Sequence, residues 1–262
     1  MALVKGPLCT RTSLVGDFRR LGVQSGETLL VHSSLKSMGW VCGGAETVIQ
    51  ALLEVLGPDG TLAVPTHSGD NSDPSQWKAP PVPEEWWSTI RETSPAYNPK
   101  TTRTRGMGVI AETLRTWPGA ERSAHPQTSF AAIGPNASFI TSSHSLECQM
   151  GEKSPLARLE DLDARVLLLG VGFDVCTAFH LAEYRTCTSF VDNSFAVMTK
   201  EGRRWVTVSE LALSDEDFHQ LGSEFENVSK METGRVGAAQ TRVFDITAAV
   251  AYAKTWFEKY RQ

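Results

Sequence analysis

Residues 28–65 read TLLVHSSLKSMGWVCGGAETVIQALLEVLGPDGTLAVP, and this stretch decides the fold. Its two ends, residues 28–32 (TLLVH) and 61–65 (TLAVP), are short apolar runs of strand length. Between them, Gly43 and Gly44 precede residues 45–56, whose apolar side chains share one helical face. Two strands joined by a helical crossover form a βαβ unit, so the sequence predicts a parallel sheet.

Outside this unit the alternation of helix and strand patterns continues. Ser13, Ser214 and Asp245 are candidate N-caps of helices. Further helices are predicted over 106–116 and 176–184, strands over 129–134 and 165–171, and an antiparallel pair over 190–198 and 205–208. We therefore expect one α/β domain over residues 1–262, with a central, mainly parallel sheet flanked by helices and an antiparallel addition.

The segment 66–104 has no sustained period and contains six prolines. It also carries Trp77, Trp86 and Trp87, and aromatic residues argue against simple disorder. A long irregular segment of this kind is typical of a functional lid. The alternative is a structural excursion that packs its tryptophans on the core.

Composition excludes several classes of protein. The net charge is −5, which disfavours nucleic acid and anionic membranes as partners. The longest apolar run, residues 166–173, is far shorter than a bilayer span, and residues 1–10 lack a signal-peptide pattern. The five cysteines form no C-x-x-C pair, which argues against a disulfide framework or a zinc ribbon. These features predict a reduced, cytoplasmic protein.

Two motifs could hold a phosphate or a carbonyl group. Residues 32–36 (HSSLK) follow the first strand, and ligands of open parallel sheets bind beyond the carboxyl ends of strands. Residues 103–108 (RTRGMG) precede a helix, whose first N–H groups and neighbouring arginines suit an anion. The alternative for each motif is an ordinary turn with no ligand.

A third motif, residues 170–183 (GVGFDVCTAFHLAE), carries an acid–base pair. His180 and Glu183 are three residues apart, so they share a helical face, and a carboxylate that orients an imidazole makes a common general base. A purely structural pair is the alternative. Zinc binding through Cys176, His180 and other histidines is less favoured, because no pair of ligands recurs at the spacing of known zinc sites. A nucleophilic Cys176 is also less favoured, because a cysteine on a helix is usually a core residue.

Other ionisable residues give weaker signals. His125 precedes a proline and is expected to be held extended near a site. Asp70 and Asp73 lie among aromatic residues, which suits a cationic ligand, although solvated loop acids are the alternative. His144 and His219 have polar neighbours and are expected to be solvated.

Taken together, five ordered segments resemble the aminoglycoside 3-N-acetyltransferase family over nearly the whole chain. They are residues 29–44, 57–68, 97–134, 151–159 and 166–183. The resemblance implies an α/β fold and transfer of acetyl from acetyl-CoA to the 3-amino group of a 2-deoxystreptamine aminoglycoside, which confers antibiotic resistance. Segment 71–96 matches only loosely, and it is there that antibiotic preference should be encoded.

The resemblance also implies roles for individual residues. The catalytic residues would be His180 as general base, Glu183 as its partner and His32 near the acetyl group. Acetyl-CoA would contact Ser33, Ser34, Leu35, Lys36, Thr104, Gly106, Met107, Val109, Ser129 and Phe130. The aminoglycoside would contact Asp70, Glu152 and Glu183. Backbone N–H groups near Ser33 or Ser34 would stabilise the oxyanion of the tetrahedral intermediate.

The expected mechanism is direct attack in a ternary complex, without an acyl-enzyme and without a metal. An acidic protein attracts a polycationic aminoglycoside, which agrees with this reading. One alternative is an acetyl-CoA-dependent N-acetyltransferase for a different amine metabolite. Another is a non-catalytic protein that binds aminoglycosides. The number of subunits stays open, and a homodimer is compatible with the sequence.

Overall fold

The computed structural model of the protein describes residues 6–261. The strands are β1 (Leu8–Cys9), β2 (Thr28–Ser33), β3 (Trp40–Val41), β4 (Thr61–Pro65), β5 (Glu121–Arg122), β6 (Phe130–Ile133), β7 (Arg165–Leu169), β8 (Phe190–Thr199), β9 (Gly202–Leu211), β10 (Glu232–Val236) and β11 (Ala239–Asp245). The helices are α1 (Arg11–Arg20), α2 (Gly44–Leu56), α3 (Trp87–Thr93), α4 (Gly108–Arg115), α5 (Ala137–Thr141), α6 (Pro155–Asp161), α7 (Ala178–Tyr184), α8 (Phe218–Val228) and α9 (Ile246–Tyr260).

A seven-stranded sheet in the order β10-β11-β7-β2-β4-β6-β5 forms the centre of the molecule. Its three middle strands, β7, β2 and β4, are parallel, as the βαβ pattern predicts. Only β11 and β6 run against the others. Strands β8 and β9 form a separate antiparallel pair. The α/β architecture with a mainly parallel sheet and an antiparallel addition is therefore confirmed.

Helices cover both faces of the sheet, which explains why its central strands are continuously apolar. Successive residues of β2 alternate between two cores: Leu29 and Val31 pack with α1, α2 and α4, whereas Leu30 packs with α5 to α9. All three are at most 1% exposed. Full burial of one such side chain contributes about 1.5–3 kcal/mol, so these strands anchor the sheet.

A crevice opens at the carboxyl ends of β2 and β4. Their pairing stops at Leu30 with Ala63, although β2 continues to Ser33 and β4 to Pro65. Beyond that point β2 remains paired with β7, up to Ser33 opposite Leu169, and β4 remains paired with β6. From β2 the chain crosses to β4 on one side, and β7 is added later on the other side of β2. In open α/β sheets, ligand sites lie at such a reversal of strand order.

Several element ends differ from the prediction. Thr10, not Ser13, caps α1, because Thr10 and Ser13 exchange side-chain and backbone hydrogen bonds in a capping box. Helix α4 begins only at Gly108, since Gly106 and Gly108 both have positive φ. Ser214 precedes the first turn of α8, whose N-cap position is held by Asp217.

The segment 66–104 contains the helix α3 between irregular stretches, and it contacts β8 and β9. The amide of Asn71 bonds both the N–H and the carbonyl of Ala196, and Arg203 donates to backbone carbonyls at Arg91 and Ser94. None of its three tryptophans is buried. The alternative that they pack on the core is therefore wrong, whereas a lid function stays a prediction.

Candidate active site

A cavity of about 560 Å³ lies at the crevice between β2 and β4. Three sequence motifs meet there: His32 to Lys36 at the end of β2 and just beyond it, Gly106 to Val109 at the start of α4, and Val171 to His180 from the turn after β7 into α7. Most of the residues assigned by the resemblance lie in the wall: His32, Ser33, Ser34, Leu35, Lys36, Gly106, Met107, Val109 and His180. Distant segments of the chain therefore form one site.

The start of α4 approaches the end of β2 closely. A side chain built at Gly108 would place its Cβ 3.7 Å from the carbonyl oxygen of Ser33. The preceding turn is held by the Arg105 N–H, which donates to the carbonyl of His67 at 2.8 Å. The first N–H groups of a helix lack partners within that helix, and Lys36 adds a positive charge to the same cavity wall. This edge can accept an anionic group.

The amide of Ser34 is already occupied. Its N–H donates to the carbonyl of Leu169 at 2.9 Å, which continues the pairing of β2 with β7. It therefore cannot serve as a free oxyanion donor, and that expectation is wrong for Ser34. The corresponding expectation for Ser33 stays a prediction.

His180 and Glu183 form the expected pair on α7. The Nδ1 atom of His180 bonds one carboxylate oxygen of Glu183, and the imidazole faces the cavity. The other oxygen of Glu183 accepts from the Ser214 N–H at 3.1 Å and from the Arg261 guanidinium. Because Nδ1 is engaged, Nε2 of His180 is the ring atom available for proton transfer.

Glu183 lies behind His180 rather than in the cavity wall. Its side chain is 0% exposed. The expected contact between Glu183 and the aminoglycoside is therefore wrong, because a fully enclosed carboxylate cannot meet a ligand without rearrangement. Its position instead suits the orientation of the imidazole.

Two further imidazoles line the cavity. The Nε2 atom of His32 lies 3.3 Å from the Thr177 hydroxyl. The Nε2 atom of His67 is buried and has no hydrogen-bond partner among residues 6–261. Burial, followed by the nearby His180, lowers the pKa of both His32 and His67 to about 3. Both rings are therefore neutral at ordinary pH. His67 was not predicted as a site residue, because it reaches the cavity only through the position that β4 takes in the folded sheet.

Two carboxylates in the cavity wall were also missed. Asp174 lies in the turn after β7, and Asp215 lies between β9 and α8; both residues are exposed. Asp174 stands inside the GVGFDV motif, so its position after a buried strand was a usable signal. Asp215 carried no such signal, because β9 and α8 reach the cavity only through tertiary packing.

Three residues assigned to acetyl-CoA lie outside the cavity wall. Ser129 and Phe130 are 0% exposed. The Ser129 hydroxyl bonds the Thr66 carbonyl at 2.9 Å, and Phe130 belongs to the core, so their expected contact with coenzyme is not met. Thr104 is partly exposed, and its N–H donates to Glu112 at 3.0 Å, which shapes the loop before α4.

The acids assigned to the substrate by resemblance are also outside the wall. Asp70 is exposed and pairs with Arg105 at 3.1 Å. Glu152 is exposed and pairs with Arg185 at 2.7 Å. Neither is brought next to His180, so their contact with an aminoglycoside stays a prediction.

The remaining ionisable candidates, Cys176, His125 and His144, are buried in the interior and lie outside the cavity wall. Cys176 is fully buried, and burial raises its pKa to about 12, so the nucleophilic alternative is wrong. His144, expected to be solvated, is buried, and its ring lies 4.8 Å from that of His125.

Within residues 6–261 no group of three His, Cys, Asp or Glu side chains is arranged to hold a metal ion. In the same range, every helix is too short or too polar for a membrane span.

Comparison with known proteins identifies the family. A family model described as aminoglycoside 3-N-acetyltransferase matches residues 30–258. The chain is 47% identical to the SPbeta prophage-derived aminoglycoside N(3')-acetyltransferase-like protein YokD of Bacillus subtilis, covering 95% of this chain and 92% of YokD. It is 34% identical to aminoglycoside N(3)-acetyltransferase III of Pseudomonas aeruginosa, covering 95% and 93% of the two chains.

Solved structures agree with the sequence relatives. The crystal structure of YokD superposes with a TM-score of 0.96, at 44% identity and coverage of 98% and 96%. A binary complex of AAC-IIIb with CoASH gives 0.85, at 32% identity and 97% coverage of both chains. AAC-VIa bound to sisomicin gives 0.86, at 30% identity and coverage of 97% and 98%. The chain belongs to the aminoglycoside 3-N-acetyltransferase family.

Proposed function

We propose that this protein transfers acetyl from acetyl-CoA to the 3-amino group of a 2-deoxystreptamine aminoglycoside. The observation that carries the proposal is the meeting of HSSLK, the RGMG turn and His180 in one cavity. The relatives support both substrates, because one was solved with CoASH and another with sisomicin.

The coenzyme would lie along the edge formed by β2 and α4. Its phosphates suit Lys36 and the first N–H groups of α4, where positive φ at Gly106 and Gly108 exposes the backbone. Met107 and Val109 offer apolar contacts to the pantetheine arm. The thioester then reaches the crevice, where His32, His67 and His180 surround it.

The aminoglycoside would approach from the side of Asp174 and Asp215. Its ammonium groups are positive at neutral pH, and these two carboxylates line the cavity and form no ion pair within residues 6–261. Complementary charge steers the substrate and fixes its register.

His180 would act as general base in a ternary complex. The neutral amine nitrogen attacks the thioester carbonyl carbon, and Nε2 of His180 accepts the proton from that nitrogen directly or through a water. The tetrahedral intermediate collapses as its C–S bond breaks, and the sulfur leaves as thiolate and takes up a proton. Glu183 balances the imidazolium charge throughout.

The test is release of free CoA thiol from acetyl-CoA with kanamycin-, gentamicin-, neomycin- and apramycin-type acceptors. We expect acceptor-dependent release and an acetylated 3-amino group by mass spectrometry and NMR. No release with any of these acceptors would overturn the proposal.

A different amine acceptor is the second candidate. It is favoured by the name of YokD, an aminoglycoside N(3')-acetyltransferase-like protein, and by the expectation that residues 71–96 resemble the family only loosely. A higher kcat/KM for a non-antibiotic amine in the same assay would select it. Aminoglycoside binding by calorimetry without coenzyme binding would instead select a non-catalytic role.

A further inference from the structure

The last described residue of the chain contacts the catalytic pair. Arg261 follows α9, and its Nη1 donates to the Glu183 oxygen that does not face His180. Its Nε donates to Asp217 at 2.7 Å and its Nη2 donates to the Ser214 carbonyl at 2.7 Å. Only 18% of the side chain is exposed. One guanidinium therefore joins α7, α9 and the segment that precedes α8.

Aromatic rings hold the guanidinium in place. Its central carbon lies 4.1 Å from the ring centre of Phe257 and 5.9 Å from that of Phe218. Phe218 also contacts the His180 imidazole, with ring centres 4.7 Å apart. A planar fork that is stacked and bound to two carboxylates has little freedom, and a lysine could not reproduce its geometry.

We propose that Arg261 is a positioning residue for the reaction: it fixes the Glu183 carboxylate against His180 and, through Ser214 and Asp217, holds the segment that carries Asp215. The inference rests on the proposed function. The guanidinium of Arg261 ties the segment after α9 to the acid–base pair.

The charge of Arg261 also affects proton binding by the pair. Within residues 6–261, the ionisable groups that contact His180 or share its cavity are Glu183 on its own helix, His32 on β2, His67 after β4, and Lys36, Asp174 and Asp215 in the cavity wall. Arg261, which also binds Asp217, lies behind Glu183 and is the positive charge in direct contact with that carboxylate. Its removal leaves the charge of Glu183 less balanced, so a proton on the pair becomes more favourable.

The experiment compares Arg261→Gln, Arg261→Lys and Arg242→Gln in the acetyl transfer assay from about pH 5 to 9. Arg242 is a matched control, because its side chain is 20% exposed, it pairs with Glu226 at 2.8 Å, and its central guanidinium carbon lies 5.2 Å from the ring centre of Phe173. Arg242 forms no ion pair with Glu183 in the described structure. For Arg261→Gln we expect the acidic limb of kcat to move up by roughly one pH unit, with lower kcat at its plateau. Arg261→Lys should return the limb toward its original position.

The possible outcomes distinguish failure of the proposed acetyl transfer from failure of the positioning role of Arg261. No turnover by the unaltered protein overturns the proposed function itself. Normal turnover with an unmoved acidic limb in Arg261→Gln overturns the role of Arg261, even if the variant melts at a lower temperature. An equal shift in Arg242→Gln at matched loss of stability also overturns it, because the effect would then be general. The KM for acetyl-CoA should stay within about twofold, since Arg261 does not line the cavity.

Discussion

The Nδ1 atom of His180 bonds the carboxylate of Glu183 one helical turn further along α7, and Glu183 is fully enclosed while His180 faces the cavity. This arrangement orients the imidazole from behind and leaves Nε2 for the substrate amine. It gives the two residues different roles, which mutation can separate.

Replacement of His180 by alanine should lower kcat by about 10²–10⁴-fold, the usual contribution of a general base. Thiol release under saturating substrates measures it. His219→Ala is the control, because His219 is exposed on α8. Full turnover by His180→Ala would remove the general-base role.

Replacement of Glu183 by glutamine keeps the shape but removes the charge that balances the imidazolium. We expect kcat to fall at least about tenfold, and the free energy of unfolding to fall by about 1–3 kcal/mol because Arg261 loses one of its two carboxylate partners. Steady-state kinetics and urea unfolding check both effects. A higher aminoglycoside KM with unchanged kcat would instead support direct contact with the substrate.

Asp215→Asn should weaken aminoglycoside binding without affecting the coenzyme. Loss of one charge in the cavity wall is expected to raise the aminoglycoside KM about 5–10-fold, equivalent to roughly 1 kcal/mol, and to reduce its salt dependence. Glu201→Gln, at the exposed turn between β8 and β9, is the matched control. An unchanged KM would place the substrate elsewhere, and Asp70→Asn would then be the next variant.

The buried histidines should make stability depend on pH. Burial lowers the pKa of His32 and His67 to about 3, that of His125 to about 4, and that of His144 as well. Unfolded histidines titrate near about 6.5, so below that pH the unfolded state binds more protons and the native state loses stability as pH falls. Each such group contributes up to about 1.4 kcal/mol per pH unit.

Urea unfolding at about pH 7.5, 6.5, 5.75 and 5 measures this slope. His125→Gln should reduce it, whereas His219→Gln at the exposed position should leave it unchanged. Stability that stays constant over this range would show that the buried rings are not neutral in the native state.

Patterns among neighbouring residues were enough to predict the local elements and the motifs that follow them. Residues 28–32 and 61–65 are apolar runs bounded by glycine or polar residues, and residues 45–56 have a single apolar face. The spacing of His180 and Glu183 fixes their shared face because a helical turn repeats every 3.6 residues. Such patterns depend on near neighbours only, so they can be read without the fold.

Which side chains reach the cavity depends on how distant segments pack together, and this could not be predicted from neighbouring residues. The pairing of β2 with β4 ends at Leu30 and Ala63, and that register opens the crevice where His67 joins His32. The same packing encloses Ser129 in the interior and covers Glu183 with a guanidinium from 78 residues away. Burial and charge pairing are set by groups distant in sequence, because the free energy of a polar side chain depends on every neighbour that replaces water around it.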